Sequence, residues 1–147
     1  MDTAEARLLR LEDLDAIRQL FVDYGHYLDN GDFASYGALF AEEGEVLLGP
    51  IGRAKGPAAI QALMEKTLGG RAGSSYHLVA NPVIKLDGDR ATSEVTWAVI
   101  ARGKDGQPVL PMVGRHVDEL VREGGTWKFL RREGHVDIPS QYPGNVS

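Results

Sequence analysis

Three short turns constrain this chain more than any other feature. Asp87-Gly88-Asp89, Lys104-Asp105-Gly106 and Glu123-Gly124-Gly125 divide its second half into four segments, 76–86, 91–102, 109–122 and 126–136, in which apolar and polar residues alternate. A period of two means strands, and connections this short suit hairpins, so the four segments predict an antiparallel meander. Such a sheet needs an apolar partner on at least one face.

The first half supplies that partner. Leu8, Leu11, Leu14, Ile17, Leu20, Phe21, Tyr24 and Leu28 recur at spacings of three and four, opposite Glu12, Asp15, Arg18 and Gln19. That is the helical period, over about five turns. Asn30-Gly31 tolerates left-handed backbone and stops the helix, and Asp32 caps a second one from Phe33 to about Ala41 with Phe33, Tyr36, Leu39 and Phe40 as its stripe. Glu45-Val46-Leu47-Leu48 reads as a short strand with 51–55 as its hairpin partner. Gly56-Pro57 opens a third helix carried by Ile60, Leu63, Met64 and Leu68. Gly69-Gly70-Arg71-Ala72-Gly73 breaks it and lacks the Lys-Ser or Lys-Thr of a phosphate loop. Helices followed by a meander predict an α+β domain, the helices lying on one face of a curved antiparallel sheet. At 147 residues there is material for one core, hence a single domain over 1–138 and an irregular tail over 139–147.

The charge balance narrows the partners. Sixteen basic residues stand against 21 acidic ones, a net charge of -5, and the basic ones are scattered rather than clustered, so no nucleic-acid partner is expected. No stretch approaches the roughly 20 apolar residues of a membrane span, and the amphipathic N-terminus is no export signal, so the expectation is a cytoplasmic protein without a membrane partner. The absence of cysteine removes disulfides, thiolate nucleophiles and cysteine zinc sites. His26 with Asp29, and His116 with Asp118, are isolated pairs short of a ligand set, so neither metal nor other cofactor is expected. His26, His116 and His135 read as surface or interface residues.

The chemistry concentrates between Asp23 and Asp32, where three acids, two tyrosines and a histidine fall within ten residues. Further on, alternation places His77, Val79, Asn81 and Val83 on one strand face, the one helices can cover. Asp29 with His77 is the pairing that carries chemistry, because a carboxylate fixes an imidazole's tautomer and stabilises its charged form. No serine or cysteine nucleophile motif accompanies them, and a dyad without a nucleophile suits abstraction and return of a proton. Tyr24 and Asn81 are candidate pocket groups and Trp97 a candidate pocket wall. Each has a plainer reading: Asp29 as a turn acid, His77 and Tyr24 as core, Asn81 as a partner for a strand end.

In order and spacing, several pieces resemble the SnoaL-like (polyketide cyclase) branch of the NTF2-like superfamily. They are Ala16-Ile17 through Leu28-Asp29-Asn30-Gly31-Asp32 with Leu39-Phe40, Gly56-Pro57-Ala58-Ala59-Ile60, Tyr76-His77-Leu78-Val79-Ala80-Asn81, and Gly114 to Leu120 through Trp127-Lys128-Phe129. The resemblance implies a cone whose helices pack into the concave face of the sheet. Within the family the chain is similar to scytalone dehydratase, hexachlorocyclohexane dehydrochlorinase and bile-acid dehydratase, which implies Asp29 and His77 as the catalytic dyad, Tyr24 as a pocket tyrosine and Arg132 as an arginine near the leaving group. Three positions depart from it: Leu28 replaces a tyrosine, Val46 an indole and Ile100 an acid. With Val79 on the face of His77, Leu28 and Val46 are counted as pocket lining. The expectation is a cofactor-independent lyase or isomerase of the dehydratase type, acting on a small apolar cyclic ligand of aromatic, polyketide or steroid-like character. A non-catalytic binding protein and a β-subunit-like structural partner of a ring-hydroxylating oxygenase are the alternatives. The resemblance also implies a homodimer or homotrimer formed through the sheets, with which a convex face carrying Val113, Val117 and Val121 is consistent.

Overall fold

The structure, a computed structural model, describes residues 2–139, and the expected irregular tail lies outside them except for Pro139. Helix α1 spans Ala4–Asn30, two turns longer than its apolar stripe required, because Thr3 caps it by accepting the Ala6 N–H at 3.0 Å. Only its second half is buried, through Ile17, Leu20, Phe21, Tyr24, Gly25 and Leu28, while Leu8, Leu9 and Leu11 stay exposed. Gly31, at φ 71°, ends the helix as expected, and the Asp32 N–H reaches back to the Tyr27 carbonyl at 2.8 Å.

Asp32 caps α2, Phe33–Gly37, by accepting the Ser35 N–H at 3.2 Å. This helix is shorter than the stripe predicts. The chain leaves it at Gly37 and enters strand β1, Phe40–Leu47, whose Phe40 pairs with Phe129, while the Phe129 N–H donates to the Leu39 carbonyl at 2.9 Å. Leu39 and Phe40 are buried, as a helical stripe would have them, but it is sheet pairing that holds them there. Gly37 also has no room for a side chain, since a Cβ would stand 2.6 Å from the Pro57 carbonyl oxygen.

After a 3₁₀ turn at Gly49–Ile51 come β2, Arg53–Lys55, and α3, Pro57–Leu68. The meander follows as β3 Ser75–Asp87, β4 Arg90–Arg102, β5 Pro108–Glu123 and β6 Thr126–Ile138, with every predicted turn in place. The sheet order is β2-β1-β6-β5-β4-β3, antiparallel except for the β1–β6 pair. Among the described residues one apolar core lies between the helices and the sheet, with Phe21, Tyr36, Phe40 and Phe129 at its centre.

Two irregularities shape the concave face. Between Ala80 and Val83 an extra residue interrupts the β3–β4 register, and Asn81 takes φ 52° there. The bulge reverses the phase of the strand: His77 and Val79 face inward before it, Ile84 and Leu86 after it. Asn81 and Val83 are therefore exposed rather than beside His77. On β5, Gly114 lies opposite Trp97 and lets the indole cross the strand, for a Cβ there would stand 2.6 Å from Trp97 Cζ2 and collide with the His135 carbonyl oxygen. Gly114→Ala is expected to cost about 1–3 kcal/mol in urea unfolding, the usual range for forced overpacking. An unchanged midpoint would mean that the strand relaxes around it.

Candidate active site

A cavity of about 600 Å³ opens between the C-terminal half of α1, the end of α3 and the inner faces of the meander strands. Its inner wall carries Tyr24, Leu28, Asp29, His77, Trp97 and His116. The C-terminal end of α1 brings Asp29 to the first turn of β3, and the two elements pack so closely at Gly25 that a Cβ there would stand 3.2 Å from the His77 carbonyl oxygen.

Asp29 accepts three hydrogen bonds from one residue. Its Oδ1 is 2.7 Å from His77 Nδ1, and the His77 backbone N–H donates to Oδ1 at 3.0 Å and Oδ2 at 3.2 Å. The backbone bonds fix the carboxylate relative to the strand, and the side-chain bond fixes the ring relative to the carboxylate. Both side chains are largely buried, at 11% exposure for Asp29 and 17% for His77. With Nδ1 directed at a carboxylate, the proton belongs on Nδ1 and Nε2 is the free basic nitrogen.

Tyr24 stands edge-on to His77, with ring centroids 6.2 Å apart, and its hydroxyl is 3.4 Å from His116 Nε2. Burial pushes its hydroxyl up to about 12, against the pull of Arg132, so it stays a neutral hydrogen-bonding group at ordinary pH. His116 was expected on the surface and is buried instead, at 3% exposure. Sequence reasoning could have found it: Gly114, His116, Asp118 and Leu120 alternate in phase, and Leu120 belongs to the core. Burial holds the His116 imidazole well below the ordinary histidine value, reinforced by the Arg132 cation and by His77 and His135.

That depression has a measurable consequence. Native His116 stays neutral while the unfolded chain takes up a proton below about pH 6.5, so its contribution is intact above that value and is lost as pH falls toward the depressed native value. Between pH 7 and 5.5 the loss is about 1 kcal/mol for one such group. His116→Asn is expected to remove that part of the pH dependence of the urea midpoint, and an unchanged dependence would assign it to other groups.

Arg132 is not where the sequence suggested. It is fully buried behind Tyr24, its guanidinium carbon 4.3 Å from that ring and 4.4 Å from Phe129, with Nε 3.2 Å from Asp118 Oδ1. This contact is an ion pair off the hydrogen-bond line, and both Nη atoms lack a partner among the described residues. Ser93 Oγ donates to the other Asp118 oxygen at 2.9 Å, yet burial still raises the Asp118 carboxyl, outweighing the arginine. The chain turns Arg132 inward because β6 alternation sends Arg131 out to Glu45 and Glu133. It meets core rather than cavity. Val46, fully buried, and Val79, packed on the core, likewise fall outside the cavity wall, whereas Leu28 and Trp97 line it. Among the described residues no three His, Asp or Glu side chains converge as a metal site would require, and no helix is long and apolar enough to cross a membrane.

No curated protein matches the sequence. Solved structures do. An NTF2-like protein with a cystatin-like fold from Novosphingobium aromaticivorans is 29% identical over 96% of this chain and 94% of its own, with a TM-score of 0.84. A candidate scytalone dehydratase from the same organism is 27% identical over 86% of this chain and 85% of its own, with a TM-score of 0.74. LinA shares the fold at 22% identity and a TM-score of 0.79, over 88% of this chain and 89% of its own. The family model of the SnoaL-like domain matches residues 9–133, which contain every element from the second turn of α1 into β6, and the chain belongs to that family.

Proposed function

We propose that the protein is a cofactor-independent lyase or isomerase that moves a proton on an apolar cyclic substrate, with His77 as the base. The 2.7 Å bond from Asp29 to His77 Nδ1 carries this reading. A histidine needed only for packing has no use for a carboxylate locked onto its ring from one side while the ring lines a cavity. Likeness to a candidate scytalone dehydratase points the same way.

In the proposed reaction His77 Nε2 takes the proton from a carbon beside a carbonyl, and the C–H electron pair moves toward that carbonyl. Asp29 balances the imidazolium that results. Tyr24, protonated at working pH, can donate a hydrogen bond to the developing oxyanion, and the apolar walls around it keep that bond strong. In a dehydration the electron pair returns to expel hydroxide at the neighbouring carbon, which leaves as water with the proton from His77. Arg132 has no direct contact in this scheme.

The test does not require the physiological substrate. A cyclic β-hydroxyketone incubated in D₂O with the protein is expected to gain deuterium next to the carbonyl or to lose water. His77→Gln should slow either outcome by about 10²–10⁴-fold, the usual contribution of a general base. Equal rates with the two proteins would leave a binding-only function as the better account.

A further inference from the structure

The geometry points to an anion-binding subsite at the cavity mouth, formed by Arg71 and Arg102, so that the substrate's apolar ring carries a carboxylate or phosphate substituent. The inference rests on the cavity being the substrate site, not on which group takes the proton. Both arginines line the cavity and both are exposed, at the end away from Tyr24 and His116. In a chain where acids outnumber bases by 21 to 16, the only acid lining the cavity among the described residues is Asp29, which His77 already engages. Arg10, Arg53, Arg115, Arg122, Arg131 and Arg132 each pair with a carboxylate; among the described residues Arg7, Arg18, Arg71, Arg90 and Arg102 pair with none, and of these five Arg71 and Arg102 line the cavity.

One serine ties the two arginines together. Ser74 donates from Oγ to the Arg71 carbonyl at 2.6 Å, and the Ser74 carbonyl accepts the Arg102 N–H at 3.4 Å. The Gly73 N–H donates to the Asp29 carbonyl at 3.3 Å, so the loop carrying Arg71 is anchored on the residue that orients His77. Two guanidinium groups thus issue from adjoining backbone on one rim, with no carboxylate among the described residues to neutralise them. A planar fork of donors is suited to carboxylate and phosphate oxygens. The depth of the cavity would then hold the ring and the rim its charged substituent.

Calorimetric titration of 2-naphthoate, 2-naphthamide and 2-naphthyl phosphate tests this, since the three share a ring and differ in the substituent. The wild-type protein is expected to bind the two anions about tenfold more tightly than the amide, and the preference should shrink at high ionic strength. Whichever of carboxylate and phosphate binds more tightly identifies the group. Arg71→Gln/Arg102→Gln should abolish the preference while still binding the amide, and Arg18→Gln, an exposed arginine on α1 away from the cavity, should keep it. Equal binding of all three compounds by the wild type, a preference surviving in the double variant, or no binding at all would overturn the subsite. His77→Gln should retain the preference, so failure of the proton-transfer reading and failure of the anion subsite give different results.

Discussion

Asp29→Asn is expected to lower turnover by about 10²–10³-fold with little change in thermal stability, whereas Asp29→Ala should lose both. The distinction follows from what the carboxylate accepts. Asparagine keeps one carbonyl oxygen, which can still take the His77 backbone N–H that now lies 3.0 Å from Oδ1. It cannot also accept from His77 Nδ1 without presenting an amide N–H to a neighbour that is itself a donor. The ring must then change tautomer or turn away, and in either case Nε2 stops being an oriented base. Alanine removes every one of these bonds and leaves a half-buried backbone N–H without its partner, which costs about 1–3 kcal/mol. Deuterium uptake from D₂O and a thermal melt on the same samples separate the two effects. Turnover unchanged in Asp29→Asn would show that the carboxylate only positions backbone.

The contact between Asp29 and His77 was legible in the sequence because each residue sits where local rules are strong. Asp29 lies in the last turn of a helix whose stripe and Gly31 stop are plain, and His77 precedes the bulge, where simple alternation still holds. What failed lay beyond a point where the chain changes rule. Asn81 sits on the bulge itself, and one extra residue reverses the face of everything after it. The second helix was overextended because Phe33, Tyr36, Leu39 and Phe40 satisfy a helical period and a buried strand start equally well, and only the pairing of Phe40 with Phe129 decides.

His116 and Arg132 were misplaced for a different reason. Polar type suggested surface for His116 and the family resemblance a place near the leaving group for Arg132, but strand phase puts both on the covered face, where Tyr24 touches each of them. The outcome is a buried polar layer under the cavity floor, comprising Tyr24, His116, Ser93, Asp118 and Arg132. Its cation and anion partly cancel, and the neutral His116 and Tyr24 lie on the cavity side. Such an arrangement lets a charge influence the cavity without being solvated by it.

The largest stability effect should come from that layer. Arg132→Met leaves Asp118 buried without its cation and is expected to destabilise the fold by about 3–5 kcal/mol, the usual result of breaking one side of a buried pair. For a chain of this size that corresponds to a fall of roughly 6–20 °C in melting temperature. Arg132→Met/Asp118→Leu should recover part of the loss, because the pair forms no good hydrogen bond through Arg132 Nε and an apolar pair carries no ion desolvation penalty, while the buried Ser93 hydroxyl gives up its Asp118 acceptor. Activity then distinguishes structure from chemistry. If the cation behind the Tyr24 ring helps that hydroxyl hold an oxyanion, the restored double variant should still show kcat lowered by about tenfold, some 1.4 kcal/mol of barrier, with KM unchanged. A double variant with wild-type kcat would confine Arg132 to holding the fold, and a raised KM with unchanged kcat would mean that the substitution had deformed the cavity wall instead.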